Sequence, residues 1–164
     1  MRVTKPTLIL LLLPLCACVS RQTNSARLAE VKADVQSFTR AVAENVTREG
    51  PSAWGTYFET GPSFFMAVDG HVQFQDGASA QAAIPNLVRA IKKIELQWGD
   101  ALRVDPLTQE FAVVAAPWHE IVTFANGNRV DSSGYFTAVA ENRNGQWQFR
   151  DAHWSTAQPA GPAK

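Results

Sequence analysis

The sequence has 164 residues, 46% of them hydrophobic and 18% charged, and its 15 basic and 15 acidic side chains give a net charge of zero. This length and composition fit one folded domain and exclude a disordered polyelectrolyte. The balanced charge argues against nucleic acid as a partner, because phosphate neutralisation requires a basic face. Only two cysteines are present, without a Cys-x-x-Cys spacing, so a four-ligand zinc site is not expected.

The N-terminus follows the pattern of a secretory signal. An apolar run over residues 8–15 comes after two basic residues and is shorter than the roughly 20 residues that a membrane-spanning helix needs. The run leads into Leu15-Cys16-Ala17-Cys18, which resembles a bacterial lipobox, with Leu at position −3 and a small residue at −1 before the lipidated cysteine. We predict a signal peptide over residues 1–17 and a lipid anchor on Cys18, with ordinary signal-peptidase cleavage near Ala17 as the alternative. The resemblance implies a bacterial cell-envelope protein that is held on a membrane by its lipid and faces the periplasm.

A polar stretch over residues 18–25 predicts a tether, and a long helix is expected after it. Asn24 or Ser25 is the predicted N-cap. Apolar residues then recur every three or four positions over residues 28–46, and Gly50-Pro51 ends the helix.

Between residues 52 and 91 the pattern changes twice. Residues 52–59 predict a short helix rich in aromatic side chains. Two short alternating runs joined by Asp69-Gly70 predict a β-hairpin, since Asp-Gly between such runs favours a tight turn. Ser79 is then the predicted cap of a third helix that continues to about Ile91, with Pro85 inside the pattern.

From residue 93 to residue 155 the pattern is typical of strands throughout. Four runs joined by short turns predict an antiparallel meander, over residues 94–104, 110–124, 129–141 and 146–155. Helices first and strands later indicate the α+β class, in which the helices cover one face of a strongly bent sheet and leave a cavity at its open end. The predicted domain spans residues 26–155, and the tail over residues 156–164 is predicted to be disordered.

Two stretches resemble a known superfamily. One is the predicted hairpin over Phe65–Gly77, and the other combines Gly134-Tyr-Phe-Thr137 with the terminal run Gly145–Ser155. In these stretches and in the order of its elements, the sequence resembles the nuclear transport factor two-like superfamily and, within it, the SnoaL-like group. The resemblance implies a cone-shaped barrel, in which a strongly curved antiparallel sheet wraps around three N-terminal helices and encloses a pocket. It implies no single activity, because members include isomerases, dehydratases, cyclases, carriers and non-catalytic modules.

The last strand carries the candidate catalytic residues. With a period of two, Trp147, Phe149, Asp151, His153 and Ser155 share one face, and the two large apolar residues favour the inward direction for it. A carboxylate can orient a neighbouring imidazole as a base, so Asp151 and His153 are candidates for general acid–base catalysis at the pocket floor. The alternative is a structural histidine that holds a loop or a helix end.

The longest strand carries a further candidate, His119. Trp118 and His119 are adjacent in sequence, so only one of them can face the pocket without a bulge, and Pro117 favours such a bulge or an edge position. Trp118 has the parity of an apolar set that Glu120 interrupts, and His119 has the parity of a second apolar set. Because both faces are apolar, one of them is a candidate homodimer interface.

Aromatic residues are the candidates for the pocket wall. They are Trp54 and Phe58 on the short helix and Phe65, Trp98, Trp118, Tyr135, Trp147 and Phe149 on the strands, with His119 among them. An apolar pocket of this kind is the default site for a small-molecule ligand. The motifs of metalloproteases, serine hydrolases and phosphate-binding loops are absent, and the three histidines lack a metal-binding spacing, so neither a cofactor nor a metal is expected.

The leading hypothesis is a lipid-anchored envelope protein that binds a small apolar or amphipathic molecule in its pocket. One alternative is a cofactor-independent enzyme of the isomerase, dehydratase or cyclase type that uses His153 and Asp151. The other is a non-catalytic module that dimerises through its sheet. An open pocket with His153 pointing away from it would contradict the enzymatic hypothesis in this form.

Overall fold

A long helix, α1 (Leu15–Glu49), packs against a curved seven-stranded sheet in this computed structural model. The structure describes the backbone of residues 15–157 and the side chains of residues 24–157. The signal-peptide prediction falls largely on residues before Leu15, and the tail prediction largely on residues after Ala157, so both lie mainly outside the described residues. The α+β class and the cone-shaped architecture are confirmed.

Helix α1 begins earlier than its sequence signals predict. Residues 18–25, predicted as a tether, continue the helix, because no Gly or Pro interrupts them and neither Asn24 nor Ser25 acts as the N-cap. Further along, the predicted apolar stripe is confirmed, since its valines between Val31 and Val46 are buried. Gly50 ends the helix with a φ of +72°, a left-handed conformation that favours glycine.

Two short helical turns and a third helix follow α1. A 3-10 turn covers Gly50–Ala53, and α2 covers Trp54–Tyr57. Helix α3 covers Gly77–Ala90 and continues through Pro85 without a break. Its N-cap is Asp76 rather than the predicted Ser79, which occupies the third helical position and completes a capping box with Asp76.

The strands form one sheet in the order β2-β1-β7-β6-β5-β3, and β4 pairs separately with β5. The strand bounds are β1 Phe65–Val68, β2 His71–Phe74, β3 Ile91–Trp98, β4 Arg103–Pro106, β5 Phe111–Phe124, β6 Arg129–Arg143 and β7 Gln146–Thr156. The predicted Asp69-Gly70 hairpin joins β1 and β2. The sheet is mixed rather than purely antiparallel, because β1 runs parallel to β7.

The structure has two strands where the sequence predicts one over residues 94–104. The break between them lies opposite Pro117, which has no N–H to donate to a neighbouring strand. Strand β3 ends at Trp98 opposite Trp118, and the chain turns away at Gly99, whose N–H donates to the Pro117 carbonyl at 2.9 Å. Strand β4 then resumes pairing with β5 and includes Pro106, where a turn was predicted. Pro117 lies within β5 in register with Tyr135, so it is not the site of a bulge, but on its other side it falls in the gap between β3 and β4 and has no strand partner there, as at a local edge.

A bulge does occur, at Arg150 in β7. Asp151 pairs with Val139 and Phe149 pairs with Ala140, so Arg150 has no partner on β6. One extra residue shifts the alternation of the strand and moves every later side chain to the opposite face. Phe149 is therefore buried, and so are Ala152 and Trp154 rather than Asp151 and His153. The inward placement predicted for Asp151 and His153 is wrong for this reason.

Aromatic rings fill the core between the helices and the sheet. Phe136 and Trp154 have ring centroids 4.5 Å apart, and Phe38 of α1 packs edge-on against Phe149 at 4.9 Å. Such pairs contribute about 0.5–1.5 kcal/mol each beyond the burial of their area. The Trp98 indole N–H donates to the Thr39 carbonyl at 2.7 Å, so the core also ties α1 to β3 by a directional bond.

Candidate ligand cavity

A partly open cavity of about 310 Å³ lies between the sheet and the segments that cover its concave face. The 3-10 turn, the α2 region and α3 cover it through Pro51, Trp54, Phe58 and Leu87. The sheet supplies the rest of the wall, which consists of Met66, Val68, Phe74, Ile91, Ile94, Trp118, Glu120, Val122, Ser132, Trp154 and Thr156. We call this space the central cavity. Its wall is mainly aromatic and aliphatic, as in sites that bind small molecules.

Glu120 is the one charged side chain in the wall of the central cavity. It lies in mid-sheet, opposite Leu96 of β3 and Ser132 of β6. Burial raises the pKa of the Glu120 carboxyl above its ordinary value of 4.5, and no neighbouring charge or hydrogen bond offsets that effect among the side chains that the structure describes. Glu120 is half-buried, so its carboxyl keeps some access to solvent, and its partial desolvation is a cost to folding that no described side chain offsets.

Two indole groups in the same wall also lack partners. The Nε1 atoms of Trp118 and Trp154 are buried and donate to no atom within the described part of the chain, whereas Trp98 Nε1 has the Thr39 carbonyl. Each unmade bond of a buried donor costs about 1–3 kcal/mol. A phenylalanine at either position would fill much of the same space without the cost of an unmade hydrogen bond. The wall of the central cavity therefore contains two buried indole donors without a hydrogen-bond partner among the described residues.

Three of the residues predicted from the sequence border the central cavity, namely Trp54, Phe58 and Trp118. Trp54 and Phe58 stack with ring centroids 5.1 Å apart and form part of the cover. Phe149 lies deeper, within the aromatic core, and the partly buried Trp98 and Trp147 pack against that core without reaching the cavity. Whether the three bordering residues contact a ligand stays a prediction.

The remaining predicted residues lie on the outer face of the sheet. Tyr135 and Phe65 are exposed, and His119 Nε2 lies 2.7 Å from Asp131 Oδ1 at the surface. Asp151 and His153 border a shallow outer groove with Phe65, Val113 and Thr137. The structure thus separates both histidines from the central cavity. It brings no group of three or more potential metal ligands together among the residues it describes.

The sequence did carry a signal for Glu120, although none for Trp154. Glu120 interrupts the apolar alternation of β5, and a polar side chain at that position must face the interior once Trp118 does, because alternate residues share a face. Trp154, by contrast, reaches the interior only because of the bulge at Arg150, which the unbroken alternation of the last strand conceals.

The comparison with known proteins rests on structure alone. No protein-family profile and no curated protein sequence matches the chain significantly. A nuclear transport factor 2-like superfamily protein from Salmonella enterica serovar Typhimurium matches with a TM-score of 0.66 at 15% identity, over 83% of this chain and 97% of that one. A second match is an NTF-2-like protein of unknown function from Shewanella oneidensis, with a TM-score of 0.56 at 14% identity, over 75% and 97% of the two chains.

An enzyme is also among the similar structures. The hexachlorocyclohexane dehydrochlorinase LinA-type3 from Novosphingobium barchaimii matches with a TM-score of 0.54 at 12% identity, over 88% of this chain and 92% of that one. These matches show that the chain has the nuclear transport factor 2-like fold, and at such identities they show the fold alone. None of the helices in the described part of the chain is long and apolar enough to cross a membrane.

We expect Glu120→Gln to stabilise the protein at pH 8 but not near pH 4. The folded state holds the Glu120 proton more tightly than the unfolded chain, so wild-type stability decreases as the pH rises past the ordinary carboxyl pKa of 4.5. Glutamine removes the cost of the buried charge, and we expect a gain of about 1–2 kcal/mol at pH 8. Urea denaturation of both proteins at pH 4, 6 and 8 measures the difference.

Glu95→Gln is the matched control. Glu95 lies on β3 and pairs with Lys93 at 2.8 Å near the surface, and the hydrogen bond from Lys93 lowers the pKa of the Glu95 carboxyl rather than raising it. Its replacement should give no stabilisation that grows with pH. A Glu120→Gln difference that is the same at pH 4 and pH 8 would contradict the expectation.

Proposed function

We propose that the protein binds a small, mainly apolar molecule in the central cavity. The observation that carries this proposal is the Glu120 carboxyl, which lies without a partner in an otherwise apolar wall. A buried group of this kind gains its missing interaction when a ligand brings one. The volume of about 310 Å³ falls at the lower end of the range for ligand pockets.

An enzymatic role is the second candidate, supported by the same carboxyl. Asp151 and His153 border the outer groove, so this pair cannot act on a molecule in the central cavity. Catalysis there would have to use Glu120, the one charged side chain in the cavity wall, whose pKa is raised by burial. The dehydrochlorinase among the similar structures shows that a protein of this fold can host elimination chemistry.

The outer face of the sheet supports the remaining candidate, a homodimer. Phe65 and Tyr135 are exposed there beside two shallow apolar grooves that also include Val113, Val139 and Pro117. Exposed apolar surface on a sheet favours association. A dimer formed in this way would leave the central cavity, on the opposite face, free for its ligand.

The lipobox-like motif supports a membrane attachment. We propose that Cys18 becomes the N-terminal residue of the mature protein and carries the lipid that holds the domain at the periplasmic surface of a membrane. The supporting observation is the sequence Leu15-Cys16-Ala17-Cys18 after a short apolar run. More than one acyl chain would be needed for stable anchoring.

Filling the central cavity should weaken ligand binding without unfolding the protein. Val122→Phe places a ring in the cavity, and we expect the affinity for cyclohexylmethanol, a neutral probe, to fall at least about tenfold. Val113→Phe makes the same change on the same strand but on the outer face, and should alter the affinity less than about twofold. Titration followed by tryptophan fluorescence measures both. Equal affinities for the two variants would contradict binding in the cavity.

Disrupting the outer face should dissociate a homodimer. We expect Tyr135→Arg to give monomers in sedimentation velocity at concentrations where the unchanged protein is dimeric, because an unpaired charge is costly at the centre of an apolar interface. Leu107→Arg is the control, since Leu107 is an exposed leucine at the turn between β4 and β5. A wild-type protein that sediments as a monomer would rule out this interface.

The anchor can be tested by mass spectrometry of protein expressed with its full N-terminus in a bacterial host. We expect a mature chain that starts at Cys18 and carries acyl groups. Cys18→Ala should give soluble or unprocessed protein, whereas Cys16→Ala should leave processing unchanged. An unmodified Cys18 in the membrane fraction would overturn the lipoprotein assignment.

A further inference from the structure

We propose that the molecule bound in the central cavity is an organic amine in its cationic form, with the ammonium group paired to Glu120 and the hydrocarbon part packed on the indole rings. This inference rests on the proposed function, because it specifies the ligand of the same site. It follows from the charge of the wall, from the surroundings of Glu120 and from the arrangement of the aromatic rings.

The charge of the wall is the first argument. Glu120 is acidic, and no Lys, Arg or His lies among the residues that line the central cavity. An anionic ligand would bring a second negative charge beside a desolvated carboxylate, and a purely apolar ligand would leave that carboxylate without a partner. A cation supplies the missing charge inside a partly open cavity with a mainly apolar wall, where water screens the attraction less than at the free surface.

No described cationic side chain is paired with Glu120. On the neighbouring strand β3, Lys93 pairs with Glu95 at 2.8 Å, outside the wall of the cavity. His119 is occupied by Asp131 on the outer face of the sheet. Helix α3 and the 3-10 turn present Leu87 and Pro51 to the central cavity, and the nearby Arg89 hydrogen-bonds Asn86 at the surface. The described residues around Glu120 therefore leave its charge uncompensated.

The aromatic rings are the second argument. Trp54 and Trp118 both stand nearly perpendicular to Trp154, at interplanar angles of 87° and 71° and centroid distances of 5.9 and 5.4 Å. Three indoles at such angles form sides of a box rather than a stack, although Phe58 stacks on one face of Trp54 and Trp98 on one face of Trp154. The face of an indole attracts a cation more strongly than any other side-chain ring does. A box of this type beside a carboxylate is suited to an alkylammonium group.

Three probes with the same ring distinguish the ligand classes. Cyclohexylmethylamine is cationic at neutral pH, cyclohexylmethanol is neutral and cyclohexanecarboxylate is anionic, while their hydrocarbon parts are the same size. We expect the amine to bind at least about tenfold more tightly than the alcohol. The carboxylate should bind more weakly than both. Calorimetric titration of the folded domain at pH 7.5 provides the three affinities.

Glu120→Gln tests whether the carboxylate is the partner. The variant should bind the amine no better than the alcohol, and its affinity for the alcohol should stay within about twofold of wild type. Glu95→Gln, the same change outside the cavity, should retain the preference for the amine. Lowering the pH from 7.5 to 4 should weaken amine binding to the wild type and leave alcohol binding unchanged, because the carboxylate becomes protonated while the amine stays charged.

The outcomes separate this inference from the proposed function. An alcohol that binds as tightly as the amine, or an amine preference that persists in Glu120→Gln, overturns the amine inference and leaves binding in the cavity intact. If none of the three probes binds, both proposals fail. An amine preference that Glu120→Gln removes and Glu95→Gln keeps supports both.

Discussion

The packing of the core depends on the β-bulge at Arg150, a residue of β7 that has no partner on β6. By lengthening β7 relative to β6, it exchanges the two faces of the last strand beyond Phe149. Without it, Asp151 and His153 would point into an apolar interior, and Trp154 would face solvent. Trp154 instead contacts four other aromatic side chains, with ring centroids between 4.5 and 5.9 Å away. The aromatic core is thus assembled around a side chain whose position is set by a bulge.

The central cavity results from how those rings are arranged. Trp98 and Phe136 pack tightly against Trp154 on the core side, whereas Trp54 and Trp118 meet it edge to face and leave space between them. The wall of that space contains polar atoms that lack hydrogen-bond partners in the described part of the chain, and this lowers the stability of the folded state. An energetic cost of this kind is tolerated where the rest of the fold is stable enough to offset it. The fully buried residues beneath the cavity provide that stability.

Much of the fold follows from local patterns in the sequence. The valine stripe of α1, the Asp69-Gly70 turn and the alternation of β5 each depend on neighbours within a few residues, and each is found in the structure. Periodicity also places Trp118 on a single face of β5. Such features are predictable because helix and strand geometry fix which positions share a face.

The remaining features depend on contacts between distant parts of the chain. The bulge at Arg150 leaves no mark in the strand's own alternation, since it is defined by the pairing with β6. The parallel pairing of β1 with β7 joins residues about 85 positions apart, such as Phe65 and Asp151. For the same reason the two histidine candidates could be assigned to the wrong face: their orientation is a property of the assembled sheet and not of the strand alone.

The place of β7 in the sheet has a consequence for how the chain folds. Strand β7, which follows all the other described strands in sequence, lies in the middle of the sheet between β1 and β6, and it carries Phe149 and Trp154 into the core. A chain that ends before Gln146 would have a short hairpin with no neighbour and a core without its central rings. Because two-stranded hairpins are marginally stable by themselves, cooperative folding has to wait until the last strand is available. The segments that precede β7 therefore complete their folding only when β7 has joined the sheet.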